Sequence, residues 1–202
     1  MSRYSLNVGG QEVVVNCAPQ LERQAASLLE LLDMLQLSGE ELRGGETVQF
    51  GWVLLTLVER GGELVVHEPD FDGDPFTELR DDLTASLTVT AEQAQLLARL
   101  GLRSEPARFQ QNVVTGKDCL GERRVYLEHK QPVAPDDSGW YVGPVEGTPQ
   151  EFASIRVYEL LRLRPALLQA LALPQGYLVV FEGDEIKAVL DEREVDVWQG
   201  AR

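Results

Sequence analysis

The chain has 202 residues, with 18 Lys and Arg against 33 Asp and Glu, for a formal charge of −15 at pH 7. Apolar residues at 44% and charged residues at 25% give a globular balance and exclude a disordered chain. No apolar run reaches the roughly 18 residues that a membrane-spanning helix needs. Phosphate backbones and anionic lipids attract clustered Lys and Arg, and the basic residues here form no run. Residues 1–104 carry 7 basic and 17 acidic side chains, so the acidity is heaviest in the first half. Direct nucleic-acid binding and membrane association are therefore not expected.

The length suits one large domain or two small ones. Met1-Ser2-Arg3-Tyr4-Ser5-Leu6-Asn7 lacks the apolar core of a secretory signal, so a cytoplasmic location is expected. Cys17 and Cys119 then read as free thiols in a reducing compartment, because disulfide scaffolds use more cysteines.

Along the chain, Tyr4, Leu6 and Val8 alternate like a strand, Gly9-Gly10 turns, and Val13-Val14-Val15 returns as the second arm of a hairpin. Pro19 suits a first helical position. Leu21, Ala25, Leu28, Leu32 and Leu35 then form the apolar stripe of a helix that ends at Ser38-Gly39. Residues Val48–Val58 read as one long strand, with Gly51 as a bulge or close backbone approach. Gly61-Gly62 turns it into Leu64-Val65-Val66-His67. The acidic, aromatic stretch Glu68–Phe76 reads as a loop. A helix is expected from Thr90 as N-cap, with Gln93 closing a capping box and Gly101 past its end. The domain boundary is expected between Gly101 and Arg108, giving domains 1–104 and 105–202.

In the second half, Gln111–Thr115 and Arg124–Glu128 read as strands, and Pro135–Gly139 as a polar turn into Trp140-Tyr141-Val142. Ile155, Tyr158 and Leu161-Arg162 suggest a short helix. Pro165 starts another, because Arg164 before proline avoids the α region. Tyr177–Glu182 and Ile186–Leu190 read as a closing pair of strands. The expected fold class is α+β: two small mixed domains, each a short, mainly antiparallel sheet packed with helices.

The candidate chemistry is sparse. Asp70, Asp72 and Asp74 have the opening spacing of a calcium loop, but Pro75 stands where glycine is required and Asp81 where a bidentate Glu belongs. No metal site is expected. His67 and His129 lack zinc-spaced companions. No G-x-S-x-G elbow or G-x-G-x-x-G turn occurs, and Gly116-Lys117 is followed by Asp118 where a phosphate loop needs Ser or Thr. No catalytic or cofactor-binding residue is therefore assigned. Asp70, Phe71, Asp72, Asp74 and Phe76 are the candidate partner contacts, the aspartates to steer and a phenylalanine to anchor. The string Asp136-Asp137-Ser138-Gly139-Trp140 reads as a structural turn: Asp and Ser bond backbone two residues on, Gly allows positive φ, and Trp folds inward.

With Val113-Val114-Thr115, this string, Val157-Tyr158-Glu159-Leu160, Pro165 and the apolar segment around Gly176 and Phe181, residues 110–185 resemble the bacterial polymorphic-toxin immunity protein family thirty-three. The resemblance implies a cytoplasmic protein that binds a cognate protein toxin and blocks it without catalysis. An acidic inhibitor suits a basic toxin. Two other readings stay open: a small hydrolase or metal-dependent enzyme using Asp70, Asp72, Asp74 and His67, and an adaptor without a toxin partner.

Overall fold

The structure, a computed structural model, describes residues 1–199. The fold is α+β, with two six-stranded sheets. The chain divides into two compact units, Met1–Ala91 and the remainder from Glu92 onward. The division falls inside a helix, before the Ser104-Glu105-Pro106 stretch.

In the first unit, β1 (Ser2–Val8) and β2 (Gln11–Cys17) form the expected hairpin. Gly9 and Gly10 sit at φ 60° and 94°, the positive values that a two-residue turn between twisted strands requires. Pro19–Leu21 is a single 3-10 turn leading into α1 (Glu22–Leu37). α1 packs on β1 and β2, and Ala25, Leu28, Leu29 and Leu32 are its buried residues. The sheet is completed by β3 (Thr47–Phe50), β4 (Val53–Arg60), β5 (Glu63–Pro69) and β6 (Leu79–Arg80). Its order is β1-β2-β5-β4-β3, with β6 beside β5. The β2–β5 pair is parallel and the others are antiparallel.

Two expectations in this unit are corrected. The apolar run Val48–Val58 is a hairpin, not one strand: Phe50 pairs with Val53 around Gly51-Trp52. Gly51 at φ 57° turns the chain instead of bulging it. The second helix, α2, spans Thr84–Leu100 and starts before Thr90. Asp82 Oδ1 accepts the Thr84 amide at 3.1 Å, while the Thr90 hydroxyl donates to the Ser86 carbonyl inside the helix. Gly101 at φ 68° ends it as expected.

The second unit holds β7 (Asn112–Gly116), β8 (Arg124–His129), β9 (Asp137–Pro144), β10 (Phe152–Arg156), β11 (Leu178–Glu182) and β12 (Glu185–Leu190). Their order is β10-β7-β9-β8-β11-β12. Only β7 and β9 pair in parallel among these described strands. One sheet face carries the core: Val113, Val125, Leu127, Trp140, Val142, Val179 and Phe181 are all buried. Leu160, Leu167, Leu168 and Leu171 are fully buried too. They come from α3 (Leu160–Leu163) and the 3-10 helix Pro165–Ala172. Ile155 belongs to β10, not to a helix, so the helical reading began too early. Arg164 breaks the helices at φ −164°, as the proline after it requires. Its buried guanidinium donates to the carbonyls of Glu122 at 2.8 Å and Gly183 at 2.6 Å.

Candidate functional site

The acidic loop follows β5 and returns through β6. Its backbone is cross-linked by its own side chains. Asp70 Oδ1 accepts the Asp72 amide at 3.1 Å, and Asp74 Oδ1 accepts the Phe76 amide at 3.0 Å. The Thr77 hydroxyl donates to Asp74 Oδ2 at 2.9 Å, and the Asp70 amide donates to the Glu78 carbonyl at 2.9 Å. Such Asx turns fix the loop beyond the end of the β5–β6 ladder.

Arg80 gathers the charges. Its Nη1 lies 2.7 Å from Asp72 and 3.3 Å from Asp70, and its Nε lies 3.6 Å from Glu68. The Asp72 amide and then the Arg80 guanidinium hold the Asp70 carboxyl below its usual range. Two of the three aspartates are thus already paired with a cation of the chain. Asp74 spends its oxygens on the loop itself. Among the described residues no three His, Cys, Asp or Glu side chains converge as metal ligands.

The two phenylalanines differ. Phe71 stacks on the buried Trp52 ring at 5.3 Å and 19°, and Trp52 donates its indole N–H to the Ser86 carbonyl. Phe76 is 57% exposed, and Leu79 is 45% exposed. The loop therefore presents Phe76 and Leu79 among Asp72, Asp74 and Glu78, with Phe71 as its footing.

Glu68 reads in sequence as part of the loop but belongs to β5 and is fully buried. Its Oε2 accepts the Ser86 amide at 2.9 Å in the first turn of α2. Burial pushes its carboxyl up to about 7, against the Ser86 bond and the Arg80 charge, which favour ionisation. His67 is buried on the same strand, and burial lowers its imidazole. The charges acting on it are those of Asp81 and Arg60. No sequence signal separates Glu68 from the loop acids, because its burial comes from strand pairing far along the chain.

The expected turn over Pro135–Gly139 is shorter: it ends at Asp136, and Asp137-Ser138-Gly139-Trp140 already open β9. Asp136 Oδ2 accepts from the Asn112 side chain at 2.9 Å, and the Ser138 hydroxyl donates to the Asn112 carbonyl at 2.6 Å. Asp137 Oδ1 accepts the Gly139 amide at 2.9 Å, and Ser138 Oγ accepts the Trp140 amide at 3.2 Å. Gly139 has φ 77°, and a Cβ there would lie 2.2 Å from the Lys130 carbonyl oxygen. Trp140 is 1% exposed and stacks on His129 at 4.5 Å. His129 in turn donates Nδ1–H to the Leu173 carbonyl at 2.8 Å. The start of β9 is thus tied to β7, to β8 and, through His129, to a helix end.

Cys17 and Cys119 are both free and buried. Burial raises both thiols, which suppresses the reactive thiolate. No described helix is long and apolar enough to cross a membrane.

A family model described as Imm33-like domain matches residues 92–199, which is most of the second unit and more than half of the chain. No curated protein matches the chain, and no solved structure does.

Proposed function

Since the chain belongs to the Imm33-like family, we propose that it neutralises a cognate bacterial toxin by binding it directly. The family match is the observation that carries this reading. Inhibition by occupancy needs no catalytic residue or cofactor in the chain. The partner is a protein toxin, and a basic one suits the charge of −15, because opposite fields speed encounter. The protein acts in the cytoplasm, where the toxin would do its damage.

The acidic loop supplies a contact surface for that partner. Asp70, Asp72 and Asp74 steer, Phe76 anchors, and Phe71 supports the loop from beneath through Trp52. A loop held by its own hydrogen bonds loses little entropy on binding. The test is co-expression with the product of the neighbouring gene. Rescue of growth, together with a stable complex of the two purified proteins, is the expected result. A toxin that kills equally with and without this protein would sink the proposal.

A further inference from the structure

The sheet face of the second unit that points away from its core is aromatic. Tyr126 on β8 and Tyr141 on β9 meet edge to face at 5.7 Å, and Tyr141 lies 6.2 Å from Phe152 on β10. Gly143 makes this possible: a Cβ there would fall 2.7 Å from the Tyr126 ring and 2.8 Å from the Tyr141 ring. Both rings therefore lie over bare backbone. Phe152 is 62% exposed and Val114 is 36% exposed. The register sets Val114 beside Tyr141.

Four ion pairs border this face. Lys130 pairs with Glu128 at 2.8 Å, Arg123 with Glu182 at 2.9 Å, Arg124 with Glu146 at 3.4 Å, and Lys117 with Glu151. That is four bases against four acids, in a chain whose net charge is −15.

We propose that this face is where two copies of the chain pack against each other about a twofold axis. Like-charged copies repel over roughly a Debye length, about 8 Å at physiological ionic strength. They can approach closely only where their charge is locally balanced. A basic toxin gains little electrostatically from acids already paired with bases, whereas a second copy meets less repulsion there. A twofold contact places the same patch on both sides. An exposed ring, Phe152, beside two half-buried tyrosines and a charge-paired border has the anatomy of an interface core and rim. This proposal is independent of toxin binding and leaves the acidic loop of the first unit to another partner.

Sedimentation velocity on the full chain, over a concentration series at low and high salt, tests it. The expected result is a reversible dimer that tightens with salt, because screening removes the residual repulsion. Phe152→Lys and, separately, Val114→Lys should weaken dimerisation by about tenfold or more. Phe76→Lys in the first unit should leave it unchanged. Thermal melts confirm that each variant is folded. A chain that stays monomeric at all concentrations overturns the proposal. So does a dimer that survives both lysine variants, or one lost with Phe76→Lys. A monomeric chain whose toxin capture is abolished by Phe152→Lys would assign the face to the toxin instead.

Discussion

Removing the Trp140 indole leaves a cavity beside His129 that the surrounding sheet can only partly fill. Trp140→Ala should lower stability by about 3–5 kcal/mol, the range for a fully buried aromatic. Trp140→Phe should cost less, because the indole N–H finds no acceptor among the described residues. Urea melts of both variants check this; an alanine variant as stable as the parent would mean that the ring is not core. The local bonds ahead of Trp140 were legible in sequence because they run from residue i to i+2, but that the same residues open β9 was not, since it depends on pairing with β7 and β8. Glu68 was not, because its burial depends on strands and a helix that arrive from elsewhere in the chain. Its carboxyl sits at about 7 when folded, above the ordinary 4.5. The folded state therefore holds the proton more tightly than the unfolded chain. Stability from this group is full below pH 4.5 and falls as pH rises to about 7, by on the order of 3 kcal/mol. Above that range the loss is complete and flat. Glu68→Gln should erase this slope, so melts of parent and variant at pH 5 and pH 8 should differ in their pH dependence. Identical slopes would show that Glu68 does not titrate in this range.

At the scale of single elements, the proposed contact loop would divide its work between charge and ring. Exposed charges govern association and its salt dependence, and a desolvated anchor governs dissociation. Neutralising Asp70, Asp72 and Asp74 to Asn should slow toxin association and flatten its dependence on salt. Phe76→Ala should speed dissociation by about tenfold, equivalent to roughly 1.4 kcal/mol. Phe71→Ala should chiefly destabilise the first unit, since its ring stacks on Trp52. Unchanged rates in a folded triple-Asn variant would remove the loop from the interface. The loop's composition pointed to it as a surface, but nothing local told its two phenylalanines apart. The same limit explains the other differences. Gly51 permits a bulge or a turn alike, and pairing of Phe50 with Val53 decided for the turn. β10 reads weakly because Phe152–Arg156 is an edge strand with little buried alternation. Thr90 has the chemistry of a cap, yet Asp82 lies upstream and starts the helix first.

For the whole molecule, the question is where the chain divides as a folding unit. The boundary at residue 104 places all of α2 with the first unit, whereas the compact units part at Ala91 and Glu92. The second half of α2 has work in the second unit: Gln93 donates its buried amide to the Leu168 carbonyl at 3.0 Å. Arg99 lies 3.4 Å over the Trp198 ring. The segment after the helix is also tied, as the Glu105 and Ala107 amides donate to Ala172 and Leu171. A fragment of residues 92–202 should therefore melt cooperatively, and one of residues 105–202 should not. Calorimetry on the two fragments decides, and a cooperative melt of the shorter one would support the boundary at 104. Sharing one helix also orders events during synthesis. The N-terminal part emerges and folds first, and with it the opening turns of α2. The unfavourable first turn of a helix, whose statistical weight is about one in a thousand, is then already formed when Glu92–Leu100 leaves the ribosome. The nascent second unit inherits a growing helix to assemble upon.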